Sequence, residues 1–217
     1  MGSQDCIVYV VDDDVRLCEA LRELLTSLDV PSVTFGSVAE YVEYAKPDLP
    51  ACLILDVELP DISGLDFQRQ LGEAYHPPLV FITGHGDIPS SVRAIKDGAV
   101  DFLVKPFSQE DLMAAIDAAI ARDRHARLES ADRARLEQRY ASLTPREAEV
   151  LPLIVSGLLN KQAAAELGIS EVTLQIHRSR VMQKMDAGSL AELVHLAERL
   201  GNHAWRHDPN RPADGSP

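Results

Sequence analysis

The sequence predicts an α/β protein, in which a doubly wound, five-stranded parallel sheet is followed by a second domain made only of helices. Two patterns lead to this prediction. Short apolar runs alternate with helix-period segments through the first 120 residues, and from Thr144 onward the pattern is wholly helical. Strands that alternate with helices are typical of a parallel sheet with helices on both faces.

The first strand is predicted at Ile7–Val11, a continuous β-branched and aromatic run of the kind found in strands buried on both faces. A helix follows, because leucines recur at three- and four-residue spacing between Leu17 and Leu28. The same alternation then predicts strands at 32–35, 52–55, 79–82 and 102–104, and helices at 38–45, 65–71, about 89–97 and from 109.

The rest of the chain is predicted to be helical up to a disordered tail. Residues 121–143 lack Gly and Pro, so they either continue the fifth helix or form a charged linker helix. Thr144-Pro145-Arg146-Glu147 has the pattern of a capping box, and glycines divide the segment after it into four short helices. The predicted organisation is a sheet domain at 1–122, a linker helix at 123–143, a helical domain at 144–203 and a tail at 204–217.

Length, charge and cysteine usage narrow the class of protein. A chain of 217 residues is longer than one typical domain of about 100–150 residues. The net charge is −13, but residues 1–120 alone carry 21 acidic and 7 basic side chains, so the two domains are expected to have different partners. No apolar stretch is long enough to predict a membrane span, and three separated cysteines without a CxxC pair fit free thiols in a reducing cytoplasm.

Polar side chains follow the predicted strands at one edge of the sheet. Strand one ends in Asp12-Asp13-Asp14, strand three in Asp56, strand four in Thr83 and strand five in Lys105. Each has an ordinary interpretation alone: Asp14 as a helix cap, Thr83 as a turn hydroxyl, Lys105 as an exposed side chain. Together they supply the carboxylates that bind Mg²⁺, a nucleophilic carboxylate, an ammonium and a hydroxyl, which is what phosphoryl transfer needs.

The segment that carries these residues resembles the receiver domain of bacterial two-component response regulators. The resemblance covers nearly all of residues 5–122. The matching stretches are Val11-Asp12-Asp13, Leu55-Asp56, Leu59-Pro60-Asp61-Ile62-Ser63-Gly64, Phe81-Ile82-Thr83-Gly84-His85-Gly86 and Val100-Asp101-Phe102-Leu103-Val104-Lys105-Pro106-Phe107. The resemblance implies that Asp56 accepts a phosphoryl group from a sensor histidine kinase. It also implies four Mg²⁺ ligands: the carboxylates of Asp12, Asp13 and Asp56, and the backbone carbonyl of Glu58.

The resemblance further implies how the site would signal. Lys105, joined to Pro106 by a cis bond, would pair with the phosphoryl oxygens, Thr83 would donate to them, and Phe102 would move inward as an aromatic switch. One departure from the family pattern is Glu58, which stands where many relatives carry Met or another uncharged residue.

The helical domain contains a predicted helix-turn-helix. Ala163–Ser170 fits a helix, a glycine turn and the cap of a further helix, on which Leu174, Val181 and Met185 share an apolar face. Residues 172–185 carry three basic side chains and no acid, which suits phosphate contact, although a plain amphipathic helix gives the same pattern.

The helical segment resembles the LuxR-type DNA-binding domain, through Leu143-Thr144-Pro145-Arg146-Glu147-Ala148-Glu149-Val150-Leu151, Asn160-Lys161, Ile176-His177-Arg178 and Val181-Met182-Gln183-Lys184-Met185. The two domains together are similar to the FixJ-like response regulators. Carried over by position, the DNA-binding residues would be Lys161, Thr173, Gln175, Ile176, Arg178, Ser179, Arg180 and Lys184. Of these, Gln175, Ile176 and Ser179 would face base edges, and Arg178, Arg180 and Lys184 would mainly contact phosphates.

The resemblance implies a cytoplasmic regulator, without a membrane partner, whose phosphorylation at Asp56 controls binding to promoter DNA and hence transcription. Phosphorylation would favour a homodimer or release a masked DNA-binding face, and RNA polymerase would be a partner of an activator. The chain is expected not to be an enzyme. Two competing hypotheses are a phosphate sink that mainly dephosphorylates itself, and a regulator that works without phosphorylation.

Overall fold

The computed structural model describes residues 5–72, 75–84 and 88–201, and it confirms the predicted fold class. The strands are β1 (Ile7–Val11), β2 (Ser32–Phe35), β3 (Ala51–Asp56), β4 (Leu79–Thr83) and β5 (Asp101–Val104). The helices are α1 (Val15–Ser27), α2 (Val38–Glu43), α3 (Gly64–Leu71), α4 (Ile88–Lys96), α5 (Gln109–Ala141), α6 (Pro145–Val155), α7 (Asn160–Glu166), α8 (Glu171–Met185) and α9 (Leu190–Gly201). The chain divides into two compact units between Leu128 and Glu129.

The five strands of the first unit form one parallel sheet in the order β2-β1-β3-β4-β5. Apolar side chains cover both faces: Tyr9, Leu53 and Phe81 belong to one buried cluster, and residues such as Val10 and Ile116 to the other. This two-sided burial explains why the central strands are continuous apolar runs. The strand order reverses between β1 and β3, so the carboxyl ends of these strands form the crevice in which such sheets bind ligands.

Two local predictions for the first unit concern the cap of α1 and the length of α5. Asp14 caps α1 as predicted, because its carboxylate accepts from the backbone N–H of Arg16 at 2.9 Å. The fifth helix continues to Ala141 without a break, which confirms the first of the two predicted alternatives for this segment. The first unit extends past the predicted domain end at 122, because buried Asp123 on α5 accepts from the backbone N–H of Ala51 at the start of β3.

The second unit consists of the four predicted short helices, α6–α9, packed with the end of α5. Its core contains Leu136 from α5 together with apolar residues of all four helices, among them Val150 and Leu174. The predicted capping box is present at the start of α6, where Glu147 and Thr144 bond reciprocally.

Three further predictions concern the chain as a whole. Cys6, Cys18 and Cys52 are free thiols, as predicted. Among the helices of the described ranges, none is long and apolar enough to cross a membrane. The predicted tail at 204–217 lies outside the described residues.

Candidate functional site

Three carboxylates meet where β1 and β3 end. Asp12 and Asp13 directly follow β1, and Asp56 is the last residue of β3. One oxygen from each lies within 4.8 Å of the others, and the side chains of Asp12 and Asp56 are buried while Asp13 is exposed. The strands place them together because β1 and β3 are paired in parallel, with Val11 opposite Leu55.

Lys105 joins this cluster from the end of β5. Its ammonium donates to Asp12 Oδ2 at 2.7 Å and to Asp56 Oδ2 at 3.2 Å. The backbone N–H of Lys105 donates to the Thr83 carbonyl at 2.7 Å, which fixes where the side chain leaves the sheet. The Lys105–Pro106 bond is cis, as the resemblance implied.

The pKa values at this edge show a site that favours added positive charge. Burial raises the pKa of Asp56 above its usual range, and the neighbouring Asp12 carboxylate raises it further, while Lys105 acts in the opposite direction. Burial acts to lower the pKa of Lys105, but its hydrogen bonds to Asp12 and Asp56 and their charges more than offset this, so the net shift is upward. One ammonium therefore does not relieve the repulsion between the carboxylates, and a cation beside them would.

The donor set of this carboxylate cluster fits Mg²⁺. The three converging carboxylates are hard oxygen ligands, the kind that Mg²⁺ prefers in proteins. One of them, Asp13, is exposed, so the site is open to solvent. The N–H of Glu58 donates to Asp56 Oδ1 at 3.3 Å, which keeps the predicted fourth ligand residue next to the cluster.

Thr83 and Phe102, the two predicted signalling residues, are placed on neighbouring strands. Thr83 ends β4, is fully buried and pairs with Val104 in the sheet register. Phe102 lies on β5, partly buried, with its ring centroid 6.2 Å from that of Phe81. The residues that follow Thr83 in the loop, from His85 to Asp87, lie outside the described residues.

Gly64 is a residue of this site to which the sequence reasoning gave no role. A Cβ atom on Gly64 would lie 2.3 Å from the backbone oxygen of Asp56. This is a steric clash, which could be relieved only if the backbone moved. The Gly64 N–H also donates to the Val57 carbonyl at 3.0 Å, so α3 begins directly against the end of β3, where Asp56 lies. The sequence did contain a signal for this role: the Leu59–Gly64 stretch ends in a glycine, and glycine is the residue that allows two backbone segments to approach closely.

The helix-turn-helix predicted in the second unit is present as α7, a turn and α8. Gly168 in the turn has a φ of +64°, and the Ser170 hydroxyl accepts from the Thr173 N–H at 3.1 Å, which begins α8. Leu174, Val181 and Met185 are fully buried, as predicted for the inner face. Five of the candidate DNA-binding residues are exposed: Lys161, Gln175, Ile176, Ser179 and Arg180.

The other three candidates are engaged within the second unit. Arg178 donates to Asn160 Oδ1 at 2.9 Å, and the Thr173 hydroxyl lies 2.8 Å from that of Ser170. Lys184 donates to the Ser142 carbonyl at 2.8 Å and to Glu147 Oε2 at 2.7 Å.

The Lys184–Glu147 pair is an internal ion pair of the helical unit. Hydrogen bonding from Lys184, supported by the Thr144 backbone N–H, lowers the pKa of Glu147 to about 2. The Lys184 ammonium is thus held by the start of α6, a structural role that the sequence did not indicate.

Two protein families match separate parts of this chain. Residues 8–117 match the response regulator receiver domain, and residues 141–197 match the bacterial regulatory proteins of the luxR family. The first match covers the sheet and its carboxylate cluster, and the second covers the helix-turn-helix.

Named relatives match both parts together. Nodulation protein W of Bradyrhizobium diazoefficiens is 48% identical over 201 residues, which cover 92% of this chain and 88% of that protein. Transcriptional regulatory protein FixJ of Azorhizobium caulinodans is 39% identical over 195 residues, covering 89% and 92% respectively. The solved structure of the response regulator StyR aligns with a TM-score of 0.80 at 45% identity, covering 90% of this chain and 99% of that one.

Proposed function

Since this chain belongs to the FixJ-like two-component response regulators, with a receiver domain and a LuxR-type DNA-binding domain, we propose that Asp56 accepts a phosphoryl group and so controls promoter binding by α8. The observation that carries the proposal is the bridging of Asp12 and Asp56 by Lys105 beside the open carboxylate cluster. The donor would be the phosphohistidine of a sensor kinase.

The proposed chemistry is a transfer of phosphorus from nitrogen to oxygen. A carboxylate oxygen of Asp56 forms the new P–O bond, the P–N bond to the kinase histidine breaks, and the imidazole leaves with the electron pair. Lys105 already contacts Asp56 Oδ2, so its ammonium is in reach of the phosphoryl oxygens that arrive there. A Mg²⁺ held by Asp12, Asp13, Asp56 and the Glu58 carbonyl would neutralise charge on the same oxygens.

Signalling is proposed to pass through Thr83 and Phe102 to the surface of α4 and β5. Thr83 ends the strand beside Asp56, and its hydroxyl would donate to the phosphoryl group while the Phe102 ring moves inward. On that surface Val92, Ile95 and Val104 are each between 45% and 47% exposed to solvent. An apolar patch of this kind supports dimerisation of the phosphorylated protein, which would match a two-fold symmetric promoter site.

DNA recognition is proposed for the exposed side of α8. Gln175, Ile176 and Ser179 would meet base edges in the major groove, and Arg180 and Lys161 would contact phosphates. Thr173, Arg178 and Lys184, whose polar groups have partners inside the unit, would act at this interface mainly by holding the exposed residues in place.

The second unit distinguishes a regulator from the competing phosphate sink. A sink needs no DNA reader, whereas this chain presents a helix-turn-helix with an exposed basic side. We therefore propose a transcription regulator rather than an enzyme, acting in the cytoplasm where a kinase donor and DNA are both present. If it activates, RNA polymerase is a further partner.

The test is capture of genomic DNA fragments by the full-length chain, with and without acetyl phosphate and Mg²⁺. We expect a small set of fragments to be enriched when the phosphoryl donor is present, and Asp56→Asn to lose this enrichment. Asp66→Asn, an exposed carboxylate of α3 paired with Arg69, is the matched control and should behave as wild type. Enrichment that is equal for Asp56→Asn and wild type, or absent from both, would overturn the proposal.

A further inference from the structure

Asp61 is an exposed residue of the loop between β3 and α3, and it has no role in the phosphorylation site described above. The same loop carries Glu58, whose backbone carbonyl is a cation ligand in the proposed function. We propose that Asp61 is a positioning residue, which holds this loop against the start of α2 and so keeps the Glu58 carbonyl in place for a divalent cation. The inference rests on the proposed function, because it concerns the same cation site.

Backbone hydrogen bonds fix both ends of the loop. The Val57 N–H donates to the Ile82 carbonyl at 3.0 Å, and the Gly64 N–H donates to the Val57 carbonyl, also at 3.0 Å. Residues 58–63 lie between these two points, and holding them in one conformation costs entropy. A contact in the middle of the loop is therefore needed to offset that cost.

The Asp61 carboxylate supplies that contact. Its Oδ2 atom accepts from the backbone N–H of Val38 at 3.1 Å and from that of Ala39 at 3.4 Å, the first two residues of α2. Its Oδ1 atom accepts from the N–H of Ile62 at 3.1 Å, which orients the carboxylate relative to its own loop. A negative charge at the start of a helix is also favoured by the helix dipole, so these bonds hold the middle of the loop on α2.

The ordinary explanation of these bonds is a cap for α2, but α2 also has a cap of its own. Ser37 is the N-cap residue, and its hydroxyl accepts from the Glu40 N–H at 3.3 Å. Asp61 takes the two preceding N–H groups from 23 and 22 positions away in the sequence. Its bonds therefore do more than begin a helix, because they join two separate segments of the chain.

The segment that Asp61 binds is also bonded to another residue of the cation site. The Asp12 N–H donates to the carbonyl of Phe35, the last residue of β2, at 3.1 Å. Residues 35–39 therefore bond to Asp12 at one end and to Asp61 at the other. Because this short segment holds both Asp12 and the loop of Glu58, it sets the distance between these two proposed ligands.

The test measures binding of Mn²⁺, a paramagnetic substitute for Mg²⁺, to the full-length chain by electron paramagnetic resonance of the free ion. No phosphoryl donor is present, so the measured quantity is cation affinity and not phosphorylation. Residues that orient metal ligands typically change metal affinity about 10- to 100-fold when they are replaced. Asp61 acts through the backbone of its loop, so Asp61→Ala should raise the dissociation constant about tenfold, the lower end of that range. Asp13→Ala, which removes a proposed ligand, identifies the part of the binding that belongs to this site.

Three further variants separate positioning from helix capping and from charge. Ser37→Ala removes the other cap of α2 and should lower the melting temperature, but it should bind Mn²⁺ as wild type. Asp66→Ala removes an exposed carboxylate of α3 and should also bind as wild type. Asp61→Asn keeps an oxygen that can accept from Val38, and since a neutral hydrogen bond is roughly half as strong as a charged one, its affinity should lie within about threefold of wild type.

Thermal unfolding checks that each variant is folded, and Asp61→Ser, whose side chain is one bond shorter than that of Asp61, is a second variant with the same expected loss as Asp61→Ala. Wild-type affinity in Asp61→Ala or Asp61→Ser would overturn the inference alone. So would a loss in Ser37→Ala or Asp66→Ala as large as that in Asp61→Ala, or a loss in Asp61→Asn equal to it, because charge or capping would then be the cause. If wild type shows no Mn²⁺ binding that Asp13→Ala removes, the cation site of the proposed function is wrong, and the inference is wrong with it.

Discussion

Arg180 and Lys184 lie on the same helix, but their surroundings predict opposite consequences when each is replaced by Met. Arg180 is exposed and, across the residues that the structure describes, forms no hydrogen bond or ion pair. Lys184 is held by Glu147 and by the Ser142 carbonyl. We therefore expect Arg180→Met to remove a phosphate contact, and Lys184→Met to destabilise the helical unit.

The size of the DNA effect is set by counterion release. Each phosphate contact contributes a slope of about −0.9 to the logarithm of the binding constant against the logarithm of salt concentration. Arg180→Met should make the slope shallower by about 0.9 per bound protomer. When the salt concentration is raised from about 50 to about 200 mM, both proteins lose affinity for DNA. The factor by which the variant loses affinity should be roughly 3.5 times smaller than the factor for wild type.

The assay is fluorescence anisotropy of a labelled duplex of arbitrary sequence, titrated with the full-length chain at several salt concentrations. A nonspecific duplex is sufficient because phosphate contacts do not depend on sequence. Thermal unfolding of each variant, followed by circular dichroism, reports the structural role in parallel. The reasoning would be refuted if Lys184→Met changed the salt slope as much as Arg180→Met does and left the thermal unfolding of the protein unchanged.

Three further predictions concern stability. Tyr9→Phe should raise the free energy of unfolding of the first unit by about 1 kcal/mol in urea titrations, because it removes a buried hydroxyl that has no partner; a loss of stability would contradict this. Gly64→Ala should destabilise the same unit by about 2 kcal/mol and slow phosphoryl uptake at Asp56, since the new Cβ must displace the Asp56 backbone; wild-type melting and labelling would count against it. The stabilisation from Glu147, whose pKa is lowered to about 2 from an ordinary 4.5, should be complete above pH 4.5 and disappear as the pH falls toward about 2. The melting temperatures of wild type and Lys184→Met should therefore converge over that range, and a constant difference would show that the pair is not responsible.

The carboxylate edge could be predicted from sequence because its geometry is a consequence of topology. Once β1 and β3 are recognised as parallel and buried, the residues after them must meet at one edge, whatever the details of packing. Asp12, Asp56 and Lys105 therefore meet as expected. The inner face of α8 was predictable for a similar reason, since helical spacing alone brings Leu174 and Val181 to one side.

Other features depend on side chains that are far apart in sequence, and no local pattern contains them. The Lys184–Glu147 ion pair joins residues 37 positions apart. Asp123 bonds to Ala51, 72 positions away, and so extends the first unit beyond the predicted boundary. Tyr9 is recognisable in the sequence only as a strand residue, because the absence of a partner for its hydroxyl is visible only in the packed structure.

The central claim is that Asp56 takes up a phosphoryl group with the help of a divalent cation at the neighbouring carboxylates. Its most direct test is the intact mass of the full-length chain after incubation with acetyl phosphate, in Mg²⁺ or in EDTA. We expect one phosphoryl group on the wild-type chain in Mg²⁺, little in EDTA, and none on Asp56→Asn in either condition. Equal labelling of Asp56→Asn and wild type, or labelling of wild type that EDTA does not reduce, would contradict the account.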